Sequence, residues 1–488
     1  MIPREKDLIL QNRVKLYNNV AKINDCEGRL LAELEIYPTP RLTWDFEVLG
    51  EPKYGFPHGS LGESNSIIGH SFSIEKAKCT GDHSGLGPSR ALSGYSTQAV
   101  YGELDSLANL FIFYLPNTQF QVKGACQNPI SQILRDASND KEIAFCEGGR
   151  YVSASIDESW DFRLDIRKEA LEWLKPKNKN IGTLLTTAGT LSQPKFNESG
   201  CQDYFDLEMV TLHDALERIQ NLCRLLSYVN GGYLGPLYIE GYQLSPDTDN
   251  MVQISSSVAL PFQTTPLEKL GESWLTEFSN LNEFVGCFPV FERMTNSPLW
   301  QETFDFTLIQ YFQAIQHDQS WQVRASALGA ALERLSYMIL VVEEKDSEKK
   351  SEHEMLFEHK TPRGYAQLWN NGENNGKYVK RKDESGKNIY LSSTGIRLSC
   401  LLERIGLLQD IEANSIQDFL DVRNDAVHPR QSAMNIDRRL QLIRKALQWI
   451  DEVLLWRICY KGQYLDRTQE WTTPIPQRYN LELRDSSW

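Results

Sequence analysis

The stretch WQVRASALGAALERLSYMILVVEE, from Trp321 to Glu344, decides how the second half of this chain folds. Val323, Ala327, Ala331, Leu335, Met338 and Val342 recur on one side at helical spacing, and much of the remainder is also apolar. A helix that is apolar almost all round belongs between other helices, not on a surface. Its neighbours have the same period. TFDFTLIQYFQAIQ before it reads as one helix. After it come the charge run KDSEKKSEHE and an irregular Gly/Asn-rich stretch reaching to about Tyr390. Three more helices follow: GIRLSCLLERIGLL, SIQDFLDVRNDAV and NIDRRLQLIRKALQWIDEVLLW. Ser415 and Asp418 have capping-box spacing at the start of the second of these, which predicts its first turn there. The last carries Ile436, Leu440, Ile443, Leu447, Ile450 and Leu454 as a stripe. Residues 298–488 are therefore expected to form an α-helical bundle domain.

Upstream the pattern changes to strands. LLAELEIY, SIIGHSFSIEKAKC, QAVYGELDSLANLFIFYL and YVSASIDESWDFRLDIR are rich in β-branched and aromatic residues and are separated by Gly, Pro, Asn and Asp clusters. An antiparallel sheet or sandwich is expected over residues 1–200. TLHDALERIQNLCRLLSYVNGG then reads as a helix, with Thr211 and Asp214 at capping-box spacing and Gly231-Gly232 as its stop. Strand-like LYIEGYQL and MVQISSSVALPF follow, so 201–297 reads as a mixed α/β connecting region. The fold class is α+β, a β-rich N-terminal region followed by an all-α bundle.

With 488 residues, the chain is long enough for two or three domains. Its longest apolar runs fall short of a membrane span, and MIPREKDLILQNR has no export signal. No membrane association and a cytoplasmic location are expected. Nine cysteines, odd in number and scattered, suit a reducing compartment. Cys79 and His83 are four apart but are too few for a metal site, so neither metal nor cofactor is expected. The net charge of −14 argues against a surface made to grip long nucleic acid, without excluding a local basic site. There is no G-x-x-x-x-G-K-[ST], G-x-S-x-G or H-E-x-x-H.

Within DFLDVRNDAVHPR, Arg423 precedes His428 by five residues, which leaves the two about 140° apart around a continuous helix. Pro429 disfavours helical geometry at the residue before it. The helix should end at or just before His428, where the histidine can swing back towards the arginine. The same pair also describes an ordinary polar helix end, with the histidine favoured by the helix dipole.

The Arg-Asn-x-x-x-His motif lies in the second-to-last helix of an all-helical domain and precedes a long amphipathic helix. It resembles the R-x(4–6)-H signature of the HEPN ribonuclease superfamily. The β-rich region before the bundle resembles, more narrowly, the ApeA-like HEPN proteins of bacterial anti-phage defence. The resemblance is specific over about residues 300–460 and rests on domain order and strand-rich character before them. It implies a metal-independent endoribonuclease that leaves 2′,3′-cyclic phosphate ends and arrests growth. RNA, such as tRNA or another small structured RNA, would be the partner, and the N-terminal region would sense a phage-derived trigger. The resemblance also implies a homodimer or larger even assembly with two motifs facing one another.

On this reading His428 exchanges the proton, Arg423 stabilises phosphate charge, and Asn424 orients either group. Asp425 is a further helper. Glu333, acidic in an apolar helix, is a candidate partner of Arg423, with a polar edge shared with Arg334 as the alternative. Between Lys360 and Tyr390 there are seven Lys/Arg and three Asp/Glu, interleaved with aromatics. Lys360, Arg363, Trp369, Lys377, Lys380, Arg381 and Lys382 are thus candidate RNA contacts. Arg430, Arg438 and Arg439 at the start of the last helix are others. The rival reading is a non-catalytic ligand-binding or sensor protein that dimerises through the bundle.

Overall fold

The computed structural model describes residues 13–23, 26–35, 41–49, 66–79 (without 71 and 76), 91–116 (without 97, 103 and 109), 133–136, 141–144, 150–156, 160–166, 186–196 (without 193), 202–244 (without 208 and 237), 251–259, 264–274 (without 266–268), 281–343 (without 317), 379–382, 388–390, 393–405, 410–428, 434–468 and 483–485. The chain divides into two units, Met1–Leu270 and Gly271–Trp488. The first is β-rich and the second mainly helical.

The first unit opens with an antiparallel meander of β1 (Arg13–Ile23), β2 (Cys26–Glu35) and β3 (Arg41–Val48). Period-two alternation explains it. Leu30, Ala32 and Leu34 of β2 and Leu42, Trp44 and Phe46 of β3 are buried, while Arg29, Asp45 and Glu47 between them are exposed. Gly28 is required here, because a Cβ at that position would lie 2.4 Å from the Phe46 ring. The other strand-like stretches join the same sheet, which has sixteen strands among the described residues. Its pairs are antiparallel apart from a short parallel pairing of Ile133–Asp136 with Met251–Ala259. Tyr238–Leu244 and Met251–Ala259 enter between Leu110–Pro116 and Gln98–Tyr101. Strands from the 201–297 segment therefore complete the sheet begun near the N-terminus.

Helix α1 (Leu212–Asn230) starts at Thr211, whose hydroxyl accepts from the Asp214 amide at 3.1 Å and donates to its carboxylate at 2.8 Å. It stops at Gly231, which takes the left-handed φ of 66° that glycine tolerates best.

The second unit has two short helices, α2 (Leu281–Val285) and α3 (Phe288–Thr295), before the longer ones: α4 (Pro298–Ile315), α5 (Trp321–Tyr337), α6 (Ser393–Arg404), α7 (Asp410–Val427) and α8 (Ile436–Arg457). Helix α5 is central and packs on α4, α6, α7 and α8. Its end widens into a π turn at Met338–Val342. Glu343 closes that turn, accepting from Trp300 Nε1 at 2.7 Å and from Arg457 at 2.5 Å.

The expected cap at Ser415 is overturned. Helix α7 begins at Asp410, and Ser415 is buried inside it, with its hydroxyl accepting from Lys445 Nζ at 3.0 Å. A serine followed three residues later by an aspartate also suits a helix interior where the hydroxyl finds a side-chain partner.

One polar cluster is fully enclosed. Arg467 donates through Nε to Asp451 at 2.5 Å and through Nη2 to the Tyr311 hydroxyl at 2.9 Å and the Glu272 carbonyl at 3.2 Å. Tyr311 in turn donates to Asp451 at 2.8 Å. Burial works against the Arg467 charge, but Asp451 outweighs it and holds the guanidinium protonated. These bonds tie the first residues of the unit to its last described turn.

Candidate functional site

The end of α7 is built as Pro429 requires. The His428 amide donates to the Asn424 carbonyl at 2.8 Å, and the helix ends at Val427. Ile416, Phe419, Leu420 and Val422 bury one face of α7, while Val427 and His428 are exposed. Arg423 lies at the edge between the two faces and crosses α5 at Gly329. A Cβ on Gly329 would lie 2.7 Å from Arg423 Cγ and 3.3 Å from its Nε, so only glycine lets the arginine stem lie there. The small-residue run SALGAA around Gly329 is the sequence signal for this close approach.

One helical turn beyond Gly329, Glu333 faces the guanidinium, with Arg423 Nη2 3.7 Å from Oε2. Its other oxygen is 3.7 Å from Arg397 Nη2 on α6. Both separations exceed hydrogen-bond length, and the Glu333 side chain is 42% exposed, so these are loose ion pairs. Arg423 Nη1 also donates to Asn424 Oδ1 at 3.3 Å. Arg334 turns away to Glu302 at 2.7 Å and lies over the Phe306 ring. Of the two partners considered for Glu333, the structure places Arg423 beside it.

Arg423, Arg397, Arg334 and Glu333 line a pocket of about 520 Å³. Its walls are otherwise mostly apolar, with Leu299 and Phe306 from α4, Tyr337 from α5, and Met338 and Val342 from the π turn. His428 and Asn424 are not among its lining residues.

The remaining candidates are dispersed. Asp425 faces Arg439 at 3.7 Å, and the Arg439 guanidinium stacks 4.4 Å above the Trp321 ring. Arg438 pairs with Asp418 at 3.1 Å. Lys380, Arg381 and Lys382 fall in a short strand, Val379–Lys382, paired with Asn388–Tyr390, and their side chains lie outside the described residues. Lys360, Arg363, Trp369, Lys377 and Arg430 also lie outside them, as does the Cys79 and His83 pair. Among the described residues, no His, Cys, Asp and Glu group gathers as metal ligands, and no helix is long and apolar enough to cross a membrane. Arg334 and Tyr337 lie three residues apart on α5, but Arg397 comes from α6, and no local spacing links it to them.

Comparison with models of known families, with curated proteins and with solved structures returned no match.

Proposed function

We propose that this chain is a metal-independent endoribonuclease of the HEPN type. Arg423 and His428 are its reacting pair, and Asn424 orients the arginine. The observation that carries the reading is the end of α7. The helix stops at His428, leaving the imidazole exposed five residues after an arginine held by Asn424 and Glu333. An exposed histidine at a helix end can approach a ribose 2′-hydroxyl and take its proton. The deprotonated oxygen attacks the adjacent phosphorus, the bond to the 5′-oxygen breaks, and a second acid protonates the leaving oxygen. The products are a cyclic phosphate and a 5′-hydroxyl. A guanidinium within reach stabilises the charge on the phosphoryl oxygens. Glu333 then serves to hold Arg423 between turnovers, since a loose pair at 3.7 Å yields readily to a phosphate.

One chain offers one motif histidine, so a second copy related by a two-fold axis supplies the missing acid. Small structured RNA such as tRNA is the proposed substrate, growth arrest during phage infection the proposed setting, and the cytoplasm the proposed location. The test is incubation of purified protein with total RNA in EDTA. Cyclic-phosphate ends that vanish in folded Arg423→Ala and His428→Ala proteins support the reading, and intact RNA with the wild-type protein sinks it.

A second reading is favoured by one observation: the pocket takes in Arg423 but not His428. In that case the bundle binds a ligand and cleaves nothing.

A further inference from the structure

The pocket between α4, α5, α6 and α7 has a chemistry of its own. Its positive charge lies in three guanidinium groups against the one carboxylate of Glu333, and most of its remaining wall is hydrocarbon or aromatic. Arg334 is answered by Glu302 outside the lining, so Arg397 and Arg423 are the two that meet at Glu333. Each is 3.7 Å away, beyond the roughly 2.7–2.9 Å of a good guanidinium–carboxylate hydrogen bond. The Arg423 stem lies close against Gly329, where a Cβ would meet its Cγ at 2.7 Å. The Arg397 guanidinium carbon also lies 5.9 Å from the centre of the Tyr337 ring. Glu333 is thus a weakly paired carboxylate between two guanidinium groups.

We propose that this pocket binds a small organic carboxylate with an apolar body, the carboxylate displacing Glu333 from Arg397 and Arg423 and the body lying against Phe306, Met338 and Val342. The volume falls within the range of about 300–1,000 Å³ typical of small-molecule sites. The π turn that carries Met338 and Val342 is the kind of helix irregularity that recurs at such sites. A nucleotide fits the lining less well. Its base and sugar would need several hydrogen-bonding partners, whereas among the described residues the uncharged polar lining consists of Thr303, whose hydroxyl already accepts from Arg334 at 3.4 Å, and the Tyr337 hydroxyl. The inference does not depend on RNA cleavage, because binding itself is measured.

The test is isothermal titration of the full chain with octanoate, with 1-octanol as the uncharged counterpart and adenosine monophosphate as the polar anion. Octanoate should bind at one site, at least about tenfold more tightly than octanol, because only the carboxylate gains the paired guanidinium bonds. Glu333→Gln removes the competing internal carboxylate and should tighten octanoate severalfold. Arg397→Gln, shown to be folded by its thermal transition, should weaken it about tenfold. Equal binding of octanoate and octanol overturns the proposal. So do the absence of octanoate binding to folded protein, weaker binding by Glu333→Gln, and tighter binding of the nucleotide than of octanoate.

Discussion

Replacing Gly329 by alanine tests how Arg423 is held, through a change of sign. Inside a helix, alanine is favoured over glycine by about 1 kcal/mol. At this position the new methyl group would sit 2.7 Å from Arg423 Cγ, and that atom belongs to the stem, not to the mobile tip. Overfilling a packed contact in this way costs about 1–3 kcal/mol. In the wild-type background Gly329→Ala should therefore cost a net ~0–2 kcal/mol, and Arg423 should be pushed from Glu333. In an Arg423→Ala background Cγ no longer exists, and the same substitution should stabilise by about 1 kcal/mol. The difference between backgrounds, ~1–3 kcal/mol, is the coupling between the two positions. Urea unfolding of the four proteins measures it. RNA cleavage by the single variant should also fall, since the guanidinium is displaced while His428 is untouched. If Gly329→Ala changes stability equally in both backgrounds, Arg423 does not lie on α5 as described.

Other outcomes follow from the same geometry. His428→Ala should abolish RNA cleavage with little change in stability, because the side chain is exposed; cleavage at the wild-type rate refutes its role. Cleavage should persist in EDTA and fail at a 2′-deoxy linkage, which end-group analysis of the products would reveal. Arg467→Met should cost about 3–5 kcal/mol by leaving Asp451 buried without its cation, and adding Asp451→Asn should recover part of that loss in thermal unfolding. Burial, helped by the nearby Cys459 and Glu283, pushes the Cys287 thiol up to about 12. At pH 8 it is almost entirely protonated, so iodoacetamide should label exposed Cys459 well before Cys287, as peptide mass mapping would show.

The helices of the second unit were legible because their burial follows a local period. α5 and α8 start within one residue of the stretches read as helices, α4 starts five residues before its stretch, and α7 ends where Pro429 requires. The start of α7 was not legible, since Ser415 and Asp418 imitate a cap and the lysine that occupies the serine hydroxyl lies 30 residues away. The sheet illustrates the same limit on a larger scale. Each strand is recognisable from alternation, but the insertion of Tyr238–Leu244 beside Leu110–Pro116 is a long-range pairing that no local pattern encodes. Similarly, Arg423 and Glu333 could be suggested as partners from their unusual surroundings, whereas Arg397 could not. It lies on a helix whose own spacing gives no reason to single it out.

Two arginines of the second unit show why burial, more than pairing, separates a structural cation from one available to ligands. Arg467 is 4% exposed, its carboxylate partner is fully buried, and its bonds run to Asp451, Tyr311 and a backbone carbonyl. Taking either charge from this enclosure leaves the other stranded in a medium that solvates it poorly, so the pair cannot open while the fold persists. Arg423 is 36% exposed and faces a carboxylate that is 42% exposed, across 3.7 Å. Water already solvates both groups, and an ion pair of this kind contributes only about 0–1 kcal/mol. Exchanging Glu333 for a phosphate or carboxylate from outside therefore costs little, and the close approach of the stem to Gly329 does not depend on that partner. A half-exposed guanidinium with a replaceable partner is open to an anion. That is the property shared by the proposed roles of Arg423 in RNA cleavage and in the pocket.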